Sequence, residues 1–103
     1  MTNLKELQQA VWENKVKHGF NTTDVPLEFS YTYGELAEAF HAYRKKLPDI
    51  GEELADVMIY LLGLATILHV DLEDELVKKI EKNAKRKYEM IDGVLTRKEE
   101  AEI

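Results

Sequence analysis

An all-α fold, a bundle of four helices joined by short connections, is what this sequence of 103 residues predicts. Three observations carry that expectation. Apolar residues recur at three- and four-residue spacing through most of the chain. Only two prolines and five glycines punctuate it, which leaves long runs free for helix. Helix-capping residues (Thr23, Asp24, Asp49, Asp71) stand just ahead of the periodic runs.

The first helix is expected over residues 3–17, with Leu4, Leu7, Val11 and Trp12 on its apolar stripe. His18 to Asp24 reads as a loop. Thr23 or Asp24 caps a second helix that tolerates Pro26 in its first turn and runs to about residue 46. Tyr33, Leu36, Ala37, Phe40 and Tyr43 repeat along it at helical spacing, and Arg44, Lys45 and Lys46 suit its C-terminal dipole. Leu47-Pro48 ends it. Asp49 with Glu52 forms a capping-box pattern for a third helix over residues 50–69. From Val57 to Leu68 that helix is apolar nearly all round, so it needs cover on every side, and a subunit interface is the expected source. Gly63 fits the close approach of a partner there. A fourth helix, capped by Asp71, is expected to continue to about residue 90 with Leu72, Leu76, Ile80 and Ala84 inward. Residues 1–92 then form one helical domain, and residues 93–103 a charged, frayed tail.

Composition narrows the function. With 45% hydrophobic and 33% charged residues the chain is an ordinary folded domain. A net charge of -6 argues against nucleic acid as a partner, since such proteins carry a basic stripe. The absence of cysteine excludes disulfides and thiolate metal sites. The N-terminus reads as a polar helix and not a signal peptide, and the apolar run 57–68 is too short to cross a bilayer. No membrane association and a cytoplasmic location are therefore expected.

The chemistry lies in two acidic pairs, Glu35 with Glu38 and Glu53 with Asp56. Residues three apart share one helix face, so each pair sets like charges side by side. Helices are full of glutamate, and such acids are ordinarily solvated surface. Here, however, Asp56 runs straight into the apolar stretch. Both pairs also sit among Gly34, Leu36, Ala37, Leu54 and Ala55, with no lysine to offset them. Across a helix hairpin the pairs would make a carboxylate cage that a hard divalent cation renders tolerable, Mg²⁺ first and Mn²⁺ as the alternative. The basic run Lys79 to Tyr88 reads alone as a solvated face. Beside such a cation it acquires a second meaning, because Lys and Arg together with Mg²⁺ hold polyphosphates. Trp12 and Phe20 offer rings for stacking on a base, although core packing is the stronger expectation for Trp12, and His18, at the loop, is the histidine best placed to touch a ligand.

Gly34-Glu35-Leu36-Ala37-Glu38, followed by Glu52-Glu53-Leu54-Ala55-Asp56 running into Val57-Met58-Ile59-Tyr60-Leu61, resembles the MazG-like nucleoside triphosphate pyrophosphohydrolases. This all-α superfamily also includes dimeric dUTPases and phosphoribosyl-ATP pyrophosphohydrolase, and the chain looks closest to its small, dCTPase-like members. Val70-Asp71-Leu72 and then Lys79, Asn83, Arg86 and Tyr88 continue the likeness through most of the chain. The resemblance implies a four-helix core assembled as a homodimer or a dimer of dimers. It implies conversion of NTP and water to NMP and pyrophosphate, with deoxynucleotides preferred and a nucleotide-pool housecleaning role. Glu35, Glu38, Glu53 and Asp56 would hold Mg²⁺, with Glu38 and Glu53 catalytic. Lys79, Asn83, Arg86, Lys87 and Tyr88 would contact the substrate, joined by Trp12, His18 and Phe20. One departure stands out: many members carry the first acid of the first motif at position 32, and here it is Thr32. The rival readings are a related activity, such as phosphoribosyl-ATP pyrophosphohydrolase, and a non-catalytic helical oligomer serving as an interaction module.

Overall fold

The computed structural model describes residues 2–98. Four helices, α1 (Leu4–His18), α2 (Val25–Arg44), α3 (Ile50–Ile67) and α4 (Leu72–Ala84), precede a hairpin of β1 (Tyr88–Ile91) and β2 (Val94–Arg97). The chain divides into two compact units, Met1–Glu73 and Asp74–Ile103.

Local chemistry sets the helix ends of the first unit. The Asn3 side chain caps α1 by accepting from the Glu6 N–H. Gly19, at φ 73°, closes α1 in the left-handed region, and the Phe20 N–H returns to the Lys15 carbonyl. Asp24 caps α2 by accepting from the Leu27 N–H at 3.1 Å, with proline in the first turn as expected. The cap of α3 departs from expectation. Asp49 makes no side-chain cap bond, because its backbone (φ -97°, ψ 19°) is not in the extended conformation that aims a cap side chain at the first turn. The Glu52 capping box therefore does not form as read.

Both α1 and α2 pack on α3. Among the described residues the buried apolar ones are Ala39 and Ala42 of α2 with Leu62, Leu64 and Ala65 of α3, and the small α2 side chains bring these two helices close. Gln8 ties α1 to the end of α3, donating to Thr66 Oγ1 and the Val70 carbonyl while accepting from the Leu72 N–H.

The face α2 buries differs from the one its large apolar residues suggest. Tyr33 and Phe40 are 71% and 59% exposed, and Leu36 and Tyr43 are exposed as well. The inward line is instead Glu28, Thr32, Glu35, Ala39 and Ala42, a run of polar and small residues at four- and three-residue steps. Gly63 also has another neighbour than expected. A Cβ there would lie 3.0 Å from Lys15 Cδ, so the glycine admits the stem of a lysine of its own chain.

In the second unit α4 ends at Ala84, short of the expected limit near residue 90. None of its residues is buried, and Leu76 and Ile80, expected inward, are exposed. Beyond it Tyr88 pairs with Arg97, Met90 with Leu95 and Ile91 with Val94 in an antiparallel hairpin. The turn is Asp92-Gly93, with φ 51° and 78°. Two consecutive left-handed residues are the signature of the tight turn whose twist matches paired strands. Residues 94–97, expected as the start of a frayed tail, are thus a strand; the remainder of that tail, 99–103, lies outside the described residues. Among the described residues no single helix is long and apolar enough to cross a membrane.

Candidate metal centre and adjoining groove

The acids of α2 and α3 meet where the two helices pack. Glu35, Glu38 and Glu53 each offer a carboxylate oxygen, and these oxygens lie within 4.8 Å of one another. Glu35 and Glu53 are half-buried; Glu38 is exposed. Asp56, the fourth expected ligand, stands outside that set of three but close enough for its charge to act on Glu35 and Glu53.

The electrostatics show how poorly the chain itself compensates these groups. The Glu35 carboxyl titrates above the usual carboxylate range, chiefly through desolvation, then through the charges of Glu38 and Asp56, a hydrogen bond that its protonated form donates to Glu38, and the charge of Glu53. Glu53 is raised likewise, by desolvation first and then by Asp49, Glu38, Asp56 and Glu52. Its Oε2 and the Asp49 Oδ1 are both buried without a hydrogen-bond partner. An all-oxygen donor set with an orphaned, buried carboxylate oxygen suits a hard divalent cation. Thr32 contributes no ligand, for its hydroxyl donates to the Glu28 carbonyl one turn back at 2.9 Å.

Beside the acids, α1, α2, α3 and the α1–α2 loop enclose a groove of about 990 Å³. Asp56 lines it; Glu35, Glu38 and Glu53 do not. Leu7, Val11, Met58, Ile59 and Leu62 give it an apolar wall, and Phe20, Tyr31 and Tyr60 supply rings. Tyr31 and Tyr60 meet edge to face, with centroids 6.0 Å apart. The Tyr60 hydroxyl is pushed above its ordinary value by burial and then by the charges of Glu35 and Glu28, so it stays a protonated donor at neutral pH. Phe20 lines the groove; His18 stacks on it at 5.5 Å but is not itself part of the wall, and Trp12 sits half-buried on α1 outside it.

No residue pattern anticipated the polar floor of this groove. Glu28 is 0% exposed and Lys15 7%, and they form an ion pair at 2.5 Å. Asn21 Nδ2 donates to the other Glu28 oxygen at 3.0 Å, while Asn21 Oδ1 accepts from the Thr23 and Asp24 N–H groups. Lys15 Nζ also faces the Tyr60 ring at 6.0 Å. The one legible signal was Gly63, whose missing side chain makes room for Lys15.

The expected phosphate-binding residues belong to the second unit. Lys79 and Asn83 lie on α4, Arg86 and Lys87 in the link after it, and Tyr88 opens β1. Arg86 Nε is buried without a hydrogen-bond partner.

A family model described as MazG-like matches residues 28–101. The chain belongs to the MazG-like family. The match covers well over half of the sequence and takes in both acidic motifs, α4 and the hairpin. No curated protein and no solved structure matches the chain. The helical fold of this MazG-like protein agrees with what the two motifs implied, and three of the four acids they name come together in the structure.

Proposed function

We propose that this MazG-like chain is a divalent-cation-dependent nucleoside triphosphate pyrophosphohydrolase, releasing NMP and pyrophosphate and preferring deoxynucleotides. The observation that supports it is the meeting of Glu35, Glu38 and Glu53 within 4.8 Å, uncompensated by any protein cation in that group, near Asp56, which lines a groove of nucleotide size. Glu35, Glu53 and Asp56 would hold Mg²⁺, or Mn²⁺ in its place, with Glu38 completing the set. The cation supplies charge neutralisation for a triphosphate that the carboxylates would otherwise repel. Water oxygen bonds to the α-phosphorus, the bond to the bridging α–β oxygen breaks, and pyrophosphate leaves. Glu38, the most exposed of the three, is the group we assign to take the proton from that water. The base and sugar occupy the groove between Phe20, Tyr31 and Tyr60, and Lys79, Asn83, Arg86, Lys87 and Tyr88 are the residues we assign to the phosphates.

Assembly as a homodimer or homotetramer belongs to the same reading. Leu61 and Leu68 of the apolar third helix region are exposed in the single chain and lie outside the groove, and a second copy is the natural cover. Light scattering on the purified chain tests it: a monomer mass would remove it.

Pyrophosphate release from the standard NTPs and dNTPs, with Mg²⁺ and with EDTA, tests the activity. Metal-dependent release with NMP as co-product is expected. Silence across the panel would favour the non-catalytic module, with Thr32 as the departure to suspect; release confined to phosphoribosyl-ATP would favour that related activity.

A further inference from the structure

We infer that Lys15 reads the base of the bound nucleotide, donating hydrogen bonds from the groove floor to a carbonyl oxygen, so that bases carrying a carbonyl are selected over adenine. The inference rests on the proposed function for its ligand, but its own evidence is separate from the acidic cluster. An ammonium carries three N–H donors. Glu28 takes one, the Tyr60 ring offers only a face at 6.0 Å, and no other acceptor for Lys15 is found among the described residues. Two donors on a side chain 9% exposed are therefore left without a protein acceptor at the wall of a groove that is otherwise largely apolar and aromatic. A buried polar hydrogen without an acceptor is costly, and a ligand carbonyl removes that cost.

The surrounding geometry holds Lys15 to that task. Its stem passes over Gly63, where an added Cβ would lie 3.0 Å from Lys15 Cδ and crowd it. Glu28 neutralises its charge and is itself fixed by Asn21, which also ties down the backbone at Thr23 and Asp24. Thus α1, the α1–α2 loop, α2 and α3 converge on one ammonium group. A pair serving only to join two helices would need no unmet donors and no place in the groove wall. Cytosine, thymine, uracil and guanine each present a carbonyl oxygen; adenine presents none and carries an amino donor instead. A site built to donate discriminates strongly against a partner that cannot accept.

The test compares wild type with the double variant Lys15→Met/Glu28→Gln, which removes both charges together so that neither is left buried alone. The amide introduced by Glu28→Gln keeps an oxygen for Asn21. KM and kcat are measured for dCTP, dTTP, dGTP and dATP, with circular dichroism as the folding control. The expected result is a wild-type preference for a carbonyl-bearing base over dATP. In the double variant KM for that base rises about tenfold or more, kcat stays within about twofold, and KM for dATP is unchanged. A folded double variant with the wild-type ranking, or one that loses all four nucleotides equally, overturns the inference. If wild type hydrolyses none of the four, the proposed activity fails, and calorimetric binding of the four monophosphates still decides about Lys15: a ranking lost in the double variant upholds it, and equal or absent binding overturns it. If the double variant does not fold, the ¹⁵N resonance of the Lys15 ammonium in wild type gives the answer. Displacement by dCMP, dTMP or dGMP but not by dAMP upholds the inference, and no displacement, or an equal one, overturns it.

Discussion

Glu28 and Glu35 lie two turns apart on the same inward line of α2, yet their carboxylates are treated in opposite ways. Glu28 is fully buried and answered by the chain itself, through Lys15 and Asn21. The charges Glu35 meets are those of other acids, Glu38, Asp56 and Glu53, and desolvation together with those charges raises its proton affinity. Where a charge joins helices the protein supplies the counter-charge. Where like charges converge without one, the counter-charge must come from solution.

Replacing either kind of acid should therefore do opposite things to stability and activity. Glu53→Gln should lower pyrophosphate release by more than about a hundredfold while leaving the helical spectrum intact; retained turnover would remove Glu53 from the metal site. Glu28→Ala should instead unfold readily, losing about 3–5 kcal/mol in denaturant melts, because it strands the Lys15 charge in the interior. A loss under about 1 kcal/mol would mean the pair is more solvated than its burial implies.

The two regions also differ in their response to pH. Glu35 and Glu53 bind protons more tightly folded than unfolded, so their contribution to stability improves as pH falls toward the unfolded value of 4.5. Without divalent cation, wild type should gain Tm relative to Glu35→Gln as pH drops from neutrality into the range just above 4.5. Saturating Mg²⁺ should abolish that difference at neutral pH, and a flat difference in EDTA would contradict the reading.

The smallest expected effect separates two glycines. Gly34→Ala meets nothing within 4 Å inside a helix and should add about 0.5–1 kcal/mol. Gly63→Ala presses on Lys15 Cδ at 3.0 Å, and Lys15 is pinned by Glu28, so crowding should outweigh the helix-propensity gain by about 1 kcal/mol. Equal melting shifts for the two would show that Lys15 yields.

Much of this was legible in the sequence because periodicity and caps act locally. The four helices start within about a residue or two of where residue 3, the Thr23 or Asp24 cap, Ile50 and the Asp71 cap place them, and the two acidic pairs identify the helices that meet at the site. The losses have physical causes too. The basic run after Asn83 continues a helical rhythm, and it masked the Asp92-Gly93 hairpin signal between Tyr88–Ile91 and Val94–Arg97. The large aromatics of α2 drew attention to an exposed face, because burial there depends on how closely α3 approaches and not on residue size. The Lys15–Glu28 pair was invisible for a similar reason: charges 13 positions apart on two helices look like solvated surface until the fold buries them.

The central claim is that the acids of α2 and α3 are left uncompensated for a cation, and titration of wild type with Mn²⁺ followed by electron paramagnetic resonance tests it most directly. The predicted result is saturable binding that is lost in Glu53→Gln and kept when Lys15 and Glu28 are both neutralised. Absence of binding to wild type, or equal binding to Glu53→Gln, would contradict it.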